Sequence, residues 1–157
     1  MKKIVLIVSV FTLSIGGLSL QPTQSFAQLS TVIKKNNFLK AGQTLSGNQR
    51  LTSDNGKFIL RMQEDDGHLC VYKFENGKQG AFVWGNGVHG FKNSKLILQK
   101  DGNLVVYQGD EAKWSSKTHP FFNSKFSNAS LKPEALVLGN DGRLYLHSAS
   151  GNVVWSN

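Results

Sequence analysis

The stretch QKDGNLVVY, residues 99–107, decides how this chain is read. Taking every second residue gives Gln99, Asp101, Asn103, Val105 and Tyr107. Alternate side chains of an extended strand share a face, so these would stand in one row while Leu104 and Val106 point the other way, into a core. Such a row suits a hexose, whose hydroxyls both donate and accept hydrogen bonds beside a patch of ring carbons. Asp101 accepts only, Asn103 and Gln99 do both, Tyr107 does either, and Val105 offers a carbon surface. None is a nucleophile with a base beside it, so the chemistry is binding without reaction. A plain hairpin is the competing reading, because Asp-Gly is a favoured turn and polar alternation marks any half-exposed strand.

The stretch recurs. DGHLCVY begins at Asp66, DGNLVVY at Asp101 and DGRLYLH at Asp141. Apolar segments precede them at 58–62, 96–98 and 136–138, and a tryptophan flanked by small or polar residues follows each, at Trp84, Trp114 and Trp155. The unit is strand, Asp-Gly turn, strand, turn, Trp strand. Turn signals such as Asn76-Gly77 and Ser150-Gly151-Asn152 separate the strands, and no helix-period apolar pattern runs after Ala27. The chain is therefore expected to be all-β. Each unit would be a small sheet whose apolar face needs cover, and three can cover each other around an axis, with the tryptophans meeting at the middle.

QxDxNxVxY, matched here at all five positions, resembles the sugar-binding motif of the bulb-type mannose-binding lectins. The resemblance implies a β-prism II fold, three antiparallel four-stranded sheets with pseudo-threefold symmetry, over nearly all of residues 28–157. It further implies that Asp101 and Asn103 hold the axial hydroxyl at carbon 2 of mannose, Gln99 the one at carbon 3 and Tyr107 the one at carbon 4, with Val105 against the ring. Residues 37–51 are similar to the opening strands of those lectins and are expected to begin the first sheet. Residues 80–90 and 120–133 would then connect into sheets two and three. Phe121, Phe122 and Phe126 in the latter read equally as core or as an exposed patch.

The three copies are unequal. In the first, alignment on the Asp-Gly turn gives Glu64, Asp66, His68, Cys70 and Tyr72, whereas alignment from Gln63 and Asp65 demands one extra residue before His68. In the third the row is Gly139, Asp141, Arg143, Tyr145 and His147, with Arg143 expected to pair with Asp141 or to fill the space of a sugar ring. Both are expected to be weak or inactive, so Gln63, Asp65, His68, Tyr72, Asp141 and Arg143 are degenerate positions and the second copy carries the site.

Composition narrows the rest. Lys2 and Lys3, an apolar run at 4–20 and the small residues around Ala27 have the form of a bacterial signal peptide, 1–27, leaving a secreted or periplasmic domain at 28–157. A membrane anchor is the competing reading of that run; Gly16, Gly17 and the cleavage-type end argue against retention, and no stable membrane insertion is expected. The formal net charge is +8, and loss of Lys2 and Lys3 lowers it by two. The basic residues are scattered and interleave with no aromatic run, which argues against nucleic acid and leaves solubility or attraction to anionic cell surfaces. Cys70 is the single cysteine, so no disulfide forms within one chain.

No catalytic constellation is present, and His68, His89, His119 and His147 lack metal-ligand spacing, so neither metal nor cofactor is expected. The expected partners are mannose or mannosylated glycans on cell surfaces, bound without catalysis. A lectin-like bacteriocin or protein-interaction module on the same prism is the alternative. The family resemblance also implies paired subunits exchanging a C-terminal strand; only two residues follow Trp155, which leaves a homodimer open.

Overall fold

The structure, a computed structural model, describes residues 36–47 and 49–157. The expected signal peptide lies outside the described residues. The described part is all-β apart from two short 3-10 turns, Ser124–Ser127 and Ala129–Leu131. Its strands are β1 (Phe38–Lys40), β2 (Thr44–Ser46), β3 (Arg50–Thr52), β4 (Phe58–Met62), β5 (Leu69–Glu75) and β6 (Lys78–Gly85). They continue with β7 (Lys95–Leu98), β8 (Leu104–Gln108), β9 (Glu111–Ser115), β10 (Pro133–Leu138), β11 (Leu144–Ser148) and β12 (Val153–Ser156). Three four-stranded antiparallel sheets result, in the orders β3-β4-β5-β6 (sheet I), β2-β7-β8-β9 (sheet II) and β1-β10-β11-β12 (sheet III).

The opening segment is not confined to the first sheet, where the family resemblance places it. It is dealt out instead, one edge strand to each sheet: β1 pairs with β10, β2 with β7 and β3 with β4. Leu39, Leu45 and Leu51 make this work, each at the centre of its strand and buried, each directly opposite another leucine, Leu136, Leu96 and Leu60. Nor are residues 80–90 simply a connection, since β6 runs through to Gly85.

Cross-strand register gives each sheet one inner row of the same chemistry. It reads Leu51, Leu60, Val71, Trp84 in sheet I, Leu45, Leu96, Val106, Trp114 in sheet II, and Leu39, Leu136, Leu146, Trp155 in sheet III. The leucines and valines are the buried members and form the core. The tryptophans do not fill its middle: half-buried, they close each row at the outermost strand, with Trp84 and Trp114 edge to face at 6.4 Å. Aliphatic side chains fill a narrow three-sided interior with less wasted space than three indoles would, which leaves the rings to cover its flank.

The Asp-Gly turns join the sheets in a ring. Gly102 has φ +92°, a conformation glycine adopts freely, and a Cβ there would lie 2.6 Å from Pro133 Cδ at the start of sheet III's β10. Gly67 approaches Phe91 and Ser94 before β7 of sheet II, and Gly142 approaches Phe58 of β4 in sheet I. Each turn thus packs on the entry to the next sheet. Among the other residues left open by sequence, Phe126 is buried while Phe121 and Phe122 are exposed.

Candidate functional site

The motif does not occupy one extended strand. β8 begins at Leu104, so only Val105 and Tyr107 are strand residues, and Gln99, Asp101 and Asn103 lie on the turn before it. The Gly102 N–H donates to Gln99 O at 3.0 Å and the Gln99 N–H to Asn103 O at 2.9 Å, which folds Gln99 back beside the strand. Extended, Gln99 and Tyr107 would be separated by about 26 Å at the usual rise per residue. Folded, Gln99 Nε2 donates to the Tyr107 hydroxyl at 3.0 Å.

Each side chain is oriented by a bond that leaves a defined group over. Asp101 Oδ1 accepts the Asn103 N–H at 2.9 Å, while Oδ2 faces His119 Nε2 at 3.7 Å. Asn103, buried, uses Oδ1 to accept the Thr118 N–H at 3.2 Å and the Ser116 hydroxyl at 3.4 Å, so its Nδ2 is the donor left for a ligand. Tyr107, already accepting from Gln99, keeps its hydroxyl hydrogen to donate, and Gln99 keeps its amide oxygen to accept. The result is a carboxylate oxygen, an amide donor, a phenol donor and an amide acceptor around one patch of sheet.

Val105 departs from expectation. It is 2 % exposed, leaving little carbon surface to meet a sugar ring. The Gln99–Tyr107 bond spans diagonally across the Val105 position, since Gln99 pairs with Asn103 two residues before it and Tyr107 stands two residues after.

Thr118, Ser116 and His119 lie outside the motif and were not singled out as site residues from sequence. Thr118 is fully buried, its hydroxyl bonded to Gly102 O at 2.8 Å and to Ser116 Oγ at 2.7 Å. The signal that could have found Ser116 is positional. Two residues past each tryptophan, Asn86, Ser116 and Asn157 accept from the N–H of Leu69, Leu104 and Leu144, at 3.3, 3.1 and 2.8 Å.

The first copy resolves as a mixture of its two alignments. Gln63 takes the place of Gln99, bonding the Tyr72 hydroxyl at 2.9 Å, but Asp66 and not Asp65 accepts the His68 N–H, at 2.9 Å. The extra residue is absorbed in a wider turn, with the Gly67 N–H on Gln63 O four residues back where Gly102 bonds three back. Asp65 is left exposed on that turn. His68, in the asparagine place, lies against Gly85, its Nε2 buried without a partner. Cys70, in the valine place, is fully buried beneath the Gln63–Tyr72 bond, 3.9 Å from Gln63 Oε1. Burial, ahead of its neighbours' effects, raises the Cys70 thiol pKa and pushes the Tyr72 phenol up to about 12.

The third copy fills itself in. Gly139 provides no side chain where Gln99 stands, and a Cβ there would meet Asp141 Oδ1 at 2.6 Å and the Tyr145 ring at 2.7 Å. The Tyr145 hydroxyl donates to Asp141 Oδ2 at 2.6 Å. The expected partner of that carboxylate was Arg143; the phenol takes the place of its guanidinium because Tyr145 shares the row, while Arg143 contributes its backbone N–H at 3.0 Å and is exposed. The Tyr145 bond, then the Arg143 N–H, hold the Asp141 carboxyl below its usual range, and the same bond raises the Tyr145 phenol. His147, in the tyrosine place, turns to Gly151 O at 3.0 Å.

Similarity to known proteins accords with this geometry. Plumieribetin, a B-type lectin of Scorpaena plumieri, is 28% identical over 122 residues, spanning 77% of this chain and 94% of that protein. A mannose-specific lectin of Narcissus tazetta is 36% identical over 72 residues, 45% of this chain and 46% of its own length. Of solved structures, a monomeric mannose-binding lectin from Gastrodia elata superposes with a TM-score of 0.59 at 28% identity, covering 76% of this chain and 94% of that one. Snowdrop (Galanthus nivalis) agglutinin, complexed with methyl-α-D-mannoside, gives 0.55 at 27% identity, with 72% and 90% covered. Mannose-specific or mannose-binding lectins recur among the relatives and structural neighbours of this chain. The fold is the β-prism II of these neighbours, and the similarity supports a carbohydrate-binding lectin without catalysis. No protein-family model matches it. Among the described residues no helix is long and apolar enough to cross a membrane.

Proposed function

We propose that the chain is a secreted lectin, exported by its first 27 residues, that binds mannose or mannose-containing glycans on cell surfaces through sheet II alone. One observation carries the reading: Gln99, Asp101, Asn103 and Tyr107 are tied together so that donors and acceptors converge on one patch, with Asn103 locked from behind by Thr118. Mannose-specific relatives and a neighbour complexed with a mannoside support that sugar. An epimer lacking the axial hydroxyl would leave Asp101 and Asn103 desolvated and unpaired, at about 1–3 kcal/mol. A few net hydrogen bonds of about 1 kcal/mol each place single-sugar affinity at roughly millimolar, so a homodimer would gain by presenting two sites.

A glycan array probed with the processed protein beside Asp101→Ala tests this. Mannose-dependent signal lost in the variant is the expected result. No glycan signal at high protein density, with killing of related bacteria intact, would replace the lectin reading by the bacteriocin one.

A further inference from the structure

The outer face of sheet I carries paired charge where the corresponding rows of the other sheets carry none. One residue along from the inner rows, the cross-strand row reads Arg50, Arg61, Cys70, Gly85 in sheet I. It reads Thr44, Ile97, Val105, Ser115 in sheet II and Phe38, Val137, Tyr145, Ser156 in sheet III. Like charges directly opposed on neighbouring strands repel. Yet among the described residues neither arginine has a carboxylate within ion-pair distance.

Both guanidiniums are positioned by neutral groups instead. Arg50 lies over the Phe74 ring, 4.7 Å from its centroid, and Arg61 Nη1 donates to Gln79 Oε1 at 2.8 Å. With Ile59 and Gly77 these residues line a cavity of about 230 Å³. That is below the roughly 300–1,000 Å³ of a drug-sized pocket and suits one charged group or one sugar ring.

We propose that this cavity is an oxyanion site that takes the carboxylate, sulfate or phosphate group of an acidic saccharide. The planar guanidinium fork matches all three bidentately, and an anion between the two arginines would convert their repulsion into attraction. The adjoining strand suits a sugar: Tyr72 and Cys70 are the cross-strand partners of the lining residues Ile59 and Arg61, and Tyr72 carries the bond to the Gln63 amide. The first copy has lost the asparagine of a mannose site and stands beside a cationic one. Because the cavity is on sheet I, it can fail or hold independently of the mannoside reading of sheet II.

The test is a titration of the ¹⁵N-labelled protein with methyl β-D-glucuronide and, separately, inorganic sulfate and inorganic phosphate at matched ionic strength. Saturable shifts centred on Arg61, Gly77 and Gln79 are expected, weakened about tenfold or more in Arg61→Gln and abolished when Arg50→Gln is added. Asp101→Ala should leave them unchanged, and the arginine variants should leave mannoside binding unchanged. Tighter binding of the glucuronide than of either ion supports a saccharide ligand; equal binding overturns that assignment in favour of free oxyanions. Shifts that do not saturate, that spread over the lysines, or that survive in the double variant overturn the site. The unmodified protein already localises the response, so the outcome does not depend on the variants folding.

Discussion

Sheets I and II repeat the same side-chain bonds around turns of different width, yet their outer faces differ in chemistry. In both, a glutamine amide bonds a tyrosine hydroxyl across the turn, at 2.9 and 3.0 Å, and an aspartate accepts the N–H two residues on, at 2.9 Å in each. What differs is the residue that aspartate orients and the row beside it. Sheet II presents Asn103 backed by Thr118 beside the uncharged row Thr44, Ile97, Val105, Ser115; sheet I presents His68 against Gly85 and the Arg50–Arg61 pair. The inner rows, by contrast, hardly vary. The lesson is that the threefold core fixes where an outer side chain stands, and each outer face is then free to diverge.

The sharpest way to break this division is to alter the two rows of one sheet. Leu96→Ala, in the inner row of sheet II, should cost about 2–5 kcal/mol in urea unfolding, whereas Thr44→Ala in the outer row should stay within about 0.5 kcal/mol. Comparable losses would mean that the outer face also holds the fold. Next in size is Asp101→Ala, expected to weaken mannoside binding about 10–100-fold by calorimetry. Asp66→Ala, its counterpart in sheet I, should not change that binding.

Thr118→Val sharpens the picture by removing the hydroxyl behind Asn103. It should destabilise the protein by about 1–2 kcal/mol, since it leaves Gly102 O buried without its donor, and should loosen mannoside binding less than Asp101→Ala does. The smallest effect is electrostatic. In sheet III the folded Asp141 pKa lies below its unfolded value, so the stabilisation it gives is present above about pH 3.9 and is lost as pH falls through the folded value. Tyr145→Phe should bring the carboxyl midpoint in an NMR titration back up toward the ordinary value and remove the largest part of that acid dependence. The raised Tyr145 phenol acts at the other end: its contribution is present below about pH 10 and is lost as pH rises through the folded value.

Much of this was legible in the sequence because it is local. Asp-Gly followed by alternating apolar residues marks each turn and strand, and three recurrences with a trailing tryptophan mark three sheets. The distribution of β1, β2 and β3 among the sheets was not, although Leu39, Leu45 and Leu51 recur every six residues. A three-residue strand does not encode its partner; the partner is chosen by which leucine it covers. The Gln63 and Asp66 mixture was hidden because a turn absorbs an extra residue without moving its ends. Val105 and Arg143 depart from expectation for one reason: a residue's type does not show what its neighbours do, here the Gln99–Tyr107 bond across Val105 and the Tyr145–Asp141 bond made in the space left by Gly139.

The most direct measurement is a methyl α-D-mannoside titration of the ¹⁵N-labelled protein, read residue by residue. Saturable shifts confined to residues 99–107 and 116–119 of sheet II are expected, with sheets I and III silent. Shifts centred on residues 63–72 or 139–147, or a full response in Asp101→Ala, would contradict the assignment of sugar binding to that one face.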